Sequence, residues 1–252
     1  MNKVKGRLTV LGLGPGDKDQ ITPAVQKALK KAQVIAGYKT YLALIKSFLT
    51  NKEIIASNMR EEQKRVDLCL EAARVGKQVV IVSSGDGGIY GMASLVLESL
   101  KPGDEKLFNT RILPGITAAI SAASLAGAPL TNDFAVISLS DQLTPRKVIL
   151  KRLEAAIQGD FVTVLYNPKS KTRTELINTA FELFQKSRIG ETPVIIAQKA
   201  YRQGQKIIKS TLQECLCHIA EINMFSTVII GNSCSLYHSG WFITKRGYSE
   251  KN

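Results

Sequence analysis

Short apolar runs rich in β-branched residues alternate along the chain with longer stretches whose apolar positions recur with a helical period. In the first half, the apolar runs predict strands at residues 8–14, 33–37, 78–84 and 111–113. The periodic stretches predict helices at 22–32, 63–74, 89–100 and 116–126. Thr22 and Pro23 are a favourable pair for the start of the first helix. This alternation predicts a parallel sheet covered by helices.

The second half repeats the alternation but ends differently. Its predicted strands are 134–140, 160–166, 192–197, 227–231 and 241–245, and its predicted helices are 145–157, 172–186 and 212–222. Gln203-Gly204-Gln205 separates two apolar runs as in a hairpin, which predicts antiparallel pairing in this half. The turn-rich segment 127–133 indicates a boundary. We therefore predict an α/β protein of two αβα lobes, 1–130 with a mostly parallel sheet and 131–252 with a mixed sheet.

The charge balance narrows the range of partners. The 252 residues include 34 Lys+Arg and 21 Asp+Glu, a formal net charge of +13. Residues 1–132 carry +7 and residues 133–252 carry +6, and no five basic residues cluster, which disfavours a nucleic-acid-binding arm. No apolar run approaches the ~20 residues that span a bilayer. The surplus is explained either by solubility or by a polyanionic partner, which is a nucleic acid, an anionic membrane surface or a small molecule rich in carboxylates or phosphates.

Cysteine and histidine are too few and too scattered for the common metal or hydrolytic sites. The four cysteines, Cys69, Cys215, Cys217 and Cys234, are expected to be reduced thiols. No second cysteine pair lies at zinc-site spacing, so no metal is expected. With only two histidines, a Ser-His-Asp or Cys-His site is poorly supplied.

Three glycine-containing loops follow predicted strands in the first half, at residues 12–17, 83–91 and 113–118. Glycine lets a ligand approach the backbone closely, and ligands of open α/β sheets bind at the carboxyl ends of the strands. Pro15 interrupts the first loop and no acidic residue follows at the expected distance, so a Rossmann dinucleotide site is disfavoured. Any one loop is explained equally well as a tight turn. Together the three predict a ligand site.

These loops resemble the signatures of the tetrapyrrole (corrin/porphyrin) methylases. The matching segments are Gly12-x-Gly-Pro-Gly-Asp17, Gly85-Asp86 with Ile89-Tyr-Gly-Met92, and Pro114-Gly-Ile-Thr-Ala118. Further segments resemble the branch that acts on precorrin-3B or cobalt-factor III at carbon 17: Gly37-Tyr-Lys-Thr-Tyr41, Ser138-Leu-Ser-Asp141 with Leu143-Thr-Pro145, Leu165-Tyr-Asn-Pro168 with Ser170-Lys171, and Gly231-Asn-Ser233. The resemblance runs from about residue 6 to Tyr248.

The resemblance implies a two-lobed homodimer that uses S-adenosylmethionine, with the active site in a trough between the lobes. The implied cofactor-binding residues are Pro15, Gly85, Asp86, Gly87, Ile89, Thr117, Ala118, Tyr166, Asn167, Ala200 and Thr227. Two positions depart from the pattern of the relatives. They typically carry proline where this chain has Gly87, and commonly tryptophan where it has Arg146. Neither departure removes an identified cofactor contact.

The implied reaction is methylation of the macrocycle, with ring contraction and lactone formation. An electron-rich macrocycle supplies the nucleophile, so the enzyme has mainly to position the reactants and manage protons. The catalytic candidates are Asp86, Tyr90 and Asp141. Their structural alternatives are a helix cap, a core position and a turn, respectively. The substrate carries many carboxylates, and the candidate substrate-binding cations are Lys39, Arg146, Lys169, Lys171, Arg173 and Arg202.

Two rival interpretations stay open at this point. The chain is alternatively another member of the same superfamily, such as a uroporphyrinogen or ribosomal-RNA methyltransferase. A non-catalytic nucleic-acid-binding protein is supported only by charge, because no binding motif or interleaved aromatics accompany it. We expect a cytoplasmic enzyme with a tetrapyrrole polycarboxylate as substrate and no nucleic-acid or membrane partner. Whether that substrate is metal-free or contains cobalt is open.

Overall fold

The computed structural model of the chain describes residues 5–58 and 60–248. It divides into two compact units, Met1–Thr117 and Ala118–Asn252. The division therefore falls after residue 117, whereas the turn-rich segment led us to expect it after residue 130.

The first unit is built on one five-stranded sheet in the order β3-β2-β4-β1-β5, with every neighbouring pair parallel. Its strands are β1 (Gly6–Gly12), β2 (Val34–Tyr38), β3 (Glu53–Ser57), β4 (Gln78–Ser83) and β5 (Phe108–Leu113). Its helices are α1 (Pro23–Lys31), α2 (Lys39–Leu42), α3 (Glu62–Arg74), α4 (Ala93–Glu98) and α5 (Asp104–Leu107), with 3₁₀ turns at Lys18–Gln20 and Ala43–Phe48.

Both faces of this sheet are buried, which explains its nearly continuous apolar strands. One face packs side chains of α3 and α4 in a core that includes Val66, Leu70 and Val96. The other face packs α1 and the segment after β2 in a core that includes Leu29 and Ile45. The predicted parallel sheet covered by helices is confirmed.

The second unit has a mixed five-stranded sheet in the order β10-β9-β11-β8-β7 and a small sheet in the order β12-β13-β6. Its elements are α6 (Ala118–Ala126), β6 (Gly127–Ala128), β7 (Phe134–Ser138), α7 (Arg146–Gln158), β8 (Val162–Tyr166), α8 (Glu175–Gln185), β9 (Pro193–Gln198), β10 (Lys206–Thr211), β11 (Ser226–Ile230), β12 (Ser235–His238) and β13 (Trp241–Thr244). Only β7 and β8 pair in parallel in the larger sheet. The β9–β10 hairpin confirms the predicted antiparallel pairing.

Helix α6 explains where the chain divides. Its alanine-rich face, with Ala119, Ala122 and Ala126 buried, packs on the strands of the second unit beside Val164 and Ile229. The two residues that follow it, β6, pair with β13 of the same unit. Because these contacts involve residues far along the chain, a local turn signal near residue 130 did not reveal them.

Two predicted helices are wrong in extent. The helix predicted over 89–100 begins only at Ala93, because Tyr90 has a positive φ of 51° and Ala93 N–H donates to Gly87 O at 2.9 Å. The helix predicted over 212–222 is a 3₁₀ turn at Cys215–His218. Its i→i+3 bonds, such as Cys217 N–H to Glu214 O at 2.9 Å, are those of consecutive tight turns. Strands β3, β6 and β12 were not predicted.

Among the described residues, no helix has the length and apolar character that crossing a membrane requires.

Candidate active site

Three glycine loops of the first unit leave the carboxyl ends of neighbouring strands. The loop after β1 and the loop after β4 are joined by two backbone hydrogen bonds between Gly14 and Gly85, of 3.0 Å and 2.8 Å. The third loop follows β5, which pairs with β1 on its other side. The predicted convergence of the three loops at one sheet edge is therefore observed.

The loops approach so closely that two glycines have no room for a side chain. A Cβ atom on Gly12 would lie 2.3 Å from Gly85 O and 2.8 Å from Gly115 N. A Cβ atom on Gly115 would lie 2.2 Å from Gly85 O. All three distances are well inside van der Waals contact, so these two positions require glycine and place three backbone segments side by side.

Asp86 ties two of these loops together. Its Oδ1 accepts a hydrogen bond from Gly88 N–H at 2.7 Å, and its Oδ2 accepts one from Gly115 N–H at 2.9 Å. Helix α4 begins seven residues later at Ala93, with no side-chain cap. The helix-cap alternative for Asp86 is therefore wrong, and the carboxylate instead positions the loops that follow β4 and β5.

The other two catalytic candidates have exposed side chains. Tyr90 is 56% exposed, so the core alternative for it is wrong. Its backbone lies in the left-handed region, where a tyrosine is strained and which often marks functional loops. Asp141 is exposed in the turn after β7, as its structural alternative predicted. An exposed turn residue can also contact a substrate, so the turn position of Asp141 is compatible with a catalytic role.

The cofactor candidates of the first unit lie on these loops. Pro15, Gly85 and Gly87 are buried, Thr117 is half-buried, and Ile89 presents an exposed apolar side chain. Backbone donors and acceptors with one apolar side chain suit a ligand that is held mainly through main-chain groups. A Cβ atom on Gly87 would lie 3.0 Å from Val10 Cγ1, so the departure from proline occurs at a tightly packed position.

The cofactor candidates of the second unit lie near the end of β8 and the start of β11, which are neighbours because these two strands are antiparallel. Tyr166 is the last residue of β8, and its hydroxyl oxygen accepts a hydrogen bond from Ala119 N–H at 2.7 Å, at the start of α6. Asn167 follows with a positive φ of 50°. Thr227 is buried in β11 opposite Ala197, and Ala200 is half-buried in the turn after β9.

Several of the candidate cations already have partners. The Lys169 ammonium donates to Ile219 O at 2.8 Å, and Arg146, at the start of α7, donates to Thr179 Oγ1 at 3.2 Å. Lys39 and Lys171 are exposed, and Arg202 is half-buried. Arg173 donates to Ser140 Oγ at 3.2 Å and to Asn167 O at 3.0 Å, so it joins the loops that follow β7 and β8.

The Gly231-Asn-Ser233 segment lies at the other end of β8. Ser233 Oγ donates to Asp160 Oδ2 at 2.5 Å, and Asn232 Nδ2 donates to Asp160 O at 3.0 Å. Asp160 precedes β8, whereas Tyr166 ends it, and a five-residue strand is roughly 16 Å long. This segment therefore stabilises the start of the strand and does not contact the loops at its end.

Two of the four thiols, Cys69 and Cys215, are buried. Burial raises the pKa of Cys69 to about 12 and that of Cys215 to about 12, so both are neutral at physiological pH. Within residues 5–58 and 60–248, no three His, Cys, Asp or Glu side chains are grouped as metal ligands.

One buried charge beside the first-unit loops was not predicted from the sequence. Arg65 of α3 is only 3% exposed and donates to Ser57 Oγ at 2.6 Å, at the end of β3, and to Met92 Sδ at 3.6 Å, at the end of the Gly85–Met92 segment. Its spacing of four from Cys69 places it on the apolar face of the helix, which was a usable signal.

The fold and this geometry define an α/β protein whose glycine loops meet at the carboxyl edge of a parallel sheet, the edge at which ligands of open α/β sheets bind. The family model "Tetrapyrrole (Corrin/Porphyrin) Methylases" matches residues 7–216. The chain belongs to the tetrapyrrole methylases, a family of methyltransferases, and the resemblance drawn from the sequence is confirmed.

Three curated relatives within this family are similar to the chain over nearly its whole length. The chain is 44% identical to the "Cobalt-factor III methyltransferase" of Priestia megaterium over 98% of its own length and 46% of the relative's. It thus spans about half of that relative. It is 43% identical to the "Probable cobalt-factor III C(17)-methyltransferase" of Salmonella typhimurium, over 96% of the chain and 99% of the relative. It is 39% identical to the "Precorrin-3B C(17)-methyltransferase" of a Sinorhizobium species, over 90% of the chain and 89% of the relative.

A solved structure shows the same fold. The structure titled "Crystal structure of the methyltransferase CobJ" aligns with a TM-score of 0.90 and 37% identity, over 95% of this chain and all of that one. The prediction of two αβα lobes with a parallel and a mixed sheet is therefore confirmed.

Proposed function

We propose that this protein transfers a methyl group from S-adenosylmethionine to carbon 17 of a corrinoid precursor, with coupled contraction of the macrocycle, in cobalamin biosynthesis. The observation that supports it most strongly is the match over nearly the whole of both chains to a relative named as a C(17)-methyltransferase. We propose cobalt-factor III as the first substrate to test, and precorrin-3B as the second, because relatives named for both are similar to this chain.

In the first unit, we propose that backbone groups of the glycine loops bind S-adenosylmethionine. The proposed residues there are Pro15, Gly85, Asp86, Gly87, Ile89 and Thr117. When bound, the cofactor supplies an electrophilic methyl group on a positively charged sulfur. The fit rests on the close backbone approach at Gly12 and Gly115 and on the exposed apolar side chain of Ile89.

In the second unit, the proposed cofactor-binding residues are Ala118, Tyr166, Asn167, Ala200 and Thr227. The Tyr166 hydroxyl already accepts a hydrogen bond from Ala119 N–H, so this side chain is held in one orientation at the start of α6. The positive φ of Asn167 sets the direction of the loop after β8. Both features restrict the geometry available to a ligand there, which favours orientation of the reactants.

The three catalytic candidates take different proposed roles. Both oxygens of Asp86 accept backbone hydrogen bonds, so its main effect is to hold two loops in place. Asp141 has an exposed carboxylate and is our choice for the proton-transfer group that ring contraction needs. Tyr90 is held by a strained backbone in the loop after β4, and its exposed phenol is the second proton-transfer candidate.

For the substrate, we propose that cations of the second unit and Lys39 of the first bind the carboxylate groups of the macrocycle. The proposed residues are Lys39, Arg146, Lys169, Lys171, Arg173 and Arg202. Lys169, Arg146 and Arg173 donate hydrogen bonds to protein oxygens, whereas Lys39 and Lys171 are exposed.

The test is incubation of the purified protein with methyl-labelled S-adenosylmethionine and each macrocycle, followed by mass and absorbance spectra of the products. We expect one labelled methyl group in the product and an absorbance change that reports ring contraction. S-adenosylhomocysteine, which lacks the methyl group, is the matched control. Methylation of neither macrocycle by a folded protein would exclude the proposed function.

The homodimer and the cytoplasmic location stay predictions that rest on the resemblance alone. Light scattering on the eluting protein measures the mass in solution directly. We expect twice the chain mass of 27.5 kDa.

A further inference from the structure

Arg173 is the centre of a polar cluster made of Ser138, Ser140, Asn167, Ser170 and Arg173. Its backbone is fixed by Ser170, whose N–H donates to Arg173 O at 2.9 Å while Arg173 N–H donates to Ser170 Oγ at 3.1 Å. Its guanidinium donates to Ser140 Oγ at 3.2 Å and to Asn167 O at 3.0 Å. The arginine is therefore held at both its backbone and its head group.

The two loops of this cluster leave the same edge of the sheet. Ser138 ends β7 and pairs with Tyr166 at the end of the parallel strand β8. Ser138 Oγ accepts hydrogen bonds from Asn167 Nδ2 at 3.0 Å and from Ser140 N–H at 3.2 Å. Because Ser138 bonds to both Ser140 and Asn167, the two residues that accept from the guanidinium, its orientation is determined before any ligand binds.

The charge of this guanidinium has no counter-charge nearby. All its hydrogen-bond acceptors are neutral, and its Nε is buried without a partner. Among the described residues, no carboxylate lies within ion-pairing distance of it, whereas Arg74 pairs with Asp104 and Arg188 lies near Asp160. A half-buried charge of this kind gains most from an anion that accepts two parallel N–H bonds.

We propose that Arg173, oriented by Ser140 and Asn167, binds a side-chain carboxylate of the macrocyclic substrate. The inference rests on the proposed function, whose substrate carries such groups, and it selects one cation among the six candidates. Lysine does not provide the planar pair of donors that a carboxylate accepts, so we expect that lysine, although positively charged, cannot fully replace Arg173 at this site.

The experiment compares Arg173→Gln, Arg173→Lys and Ser140→Ala with the wild type. Equilibrium binding is measured for S-adenosylmethionine and for two probes: the free-acid macrocycle and the same macrocycle with its carboxyl groups converted to methylamides. Arg152→Gln is the matched control, because Arg152 is an exposed arginine on α7 outside the cluster.

We expect Arg173→Gln to weaken binding of the free acid about tenfold or more, since a hydrogen bond to a charged group is lost. Arg173→Lys and Ser140→Ala should give smaller losses, and Arg152→Gln none. Affinity for S-adenosylmethionine and for the methylamide should change less than twofold. If Arg173→Gln does not fold, Arg173→Lys and Ser140→Ala decide the outcome by the same comparison.

Equal losses for the acid and the methylamide would show that Arg173 only joins the two loops, and would overturn this inference. Wild-type turnover together with unchanged binding by Arg173→Gln would overturn it while leaving the proposed function intact. A wild-type protein that binds neither macrocycle would overturn both.

Discussion

At the scale of single residues, the candidate site of the first unit depends on Asp86, which joins its own loop to Gly115, 29 positions further along the chain. Both carboxylate oxygens are occupied by N–H donors, so the residue can orient the loops whether or not it transfers a proton. Its replacement by asparagine retains the shape of the side chain but leaves one oxygen in place of two. Either Gly88 or Gly115 then loses its acceptor.

We expect Asp86→Asn to lower turnover at least tenfold and the free energy of unfolding by about 1–2 kcal/mol, because a hydrogen bond to a charged acceptor is lost. S-adenosylmethionine should still bind, as measured by calorimetry on the folded variant, since backbone groups supply most of its proposed contacts. Unchanged turnover would remove Asp86 from the site.

Gly115 provides a steric test of the same site. We expect Gly115→Ala to destabilise the protein by about 3 kcal/mol, because its Cβ would lie 2.2 Å from a backbone oxygen that cannot move independently. Denaturant unfolding measures the change. Gly88→Ala, in the neighbouring loop after β4, is the matched control, because the nearest atom to the new Cβ is Asp86 Oδ1 at 3.2 Å. Equal effects of the two substitutions would contradict the close approach of the loops.

At the scale of elements, one ion pair connects the end of α3 to the short helix α5. Arg74 donates to both oxygens of Asp104 at 2.8 Å, and Lys101 N–H donates to Asp104 Oδ2 at 2.9 Å. The Arg74 guanidinium is the main reason that the pKa of Asp104 is lowered to about 2. A carboxylate with a lowered pKa stabilises the folded state only while it is ionised.

We expect Asp104→Asn to lower the free energy of unfolding by about 2 kcal/mol at pH 7. The stabilisation by Asp104 is fully present above its ordinary pKa of 3.8 and is lost as the pH falls through about 2. The difference between wild type and variant should therefore shrink between about pH 4 and pH 2. Unfolding by urea across that range measures it, with the exposed Glu98→Gln as control.

The elements also show where local periodicity is a reliable guide. The helices α1, α3, α7 and α8 and the strands other than β3, β6 and β12 follow patterns that repeat within each segment, and their positions are predicted to within a few residues. The start of α4 is not predicted correctly, because Gly91 and the positive φ of Tyr90 fold the chain back over Gly87. That turn depends on packing that the spacing of apolar residues does not record.

At the scale of the whole molecule, the net charge of +13 is distributed over both halves of the chain. An excess of positive charge attracts a polyanionic substrate. The Debye length, over which salt screens this attraction, falls from about 8 Å at physiological ionic strength to about 3 Å at 1 M.

We expect the KM for the macrocycle to rise several-fold between about 50 mM and 500 mM salt, because screening weakens its attraction to the protein. The KM for S-adenosylmethionine, which carries charges of both signs, should change less than twofold. Steady-state kinetics with each substrate varied in turn measures both. Equal changes in the two constants would contradict a role of the surplus charge in substrate binding.

The amino-acid sequence by itself determined the alternation of strands and helices, the three glycine loops and the family. These features are local, since a strand, a glycine turn or a motif is recorded in residues that are close neighbours along the chain. The tertiary structure decided which distant groups meet. Asp86 reaches Gly115, Arg173 reaches Ser140, and α6 packs on strands that are formed later in the chain. These contacts depend on how the elements pack, and no spacing within a single segment specifies them.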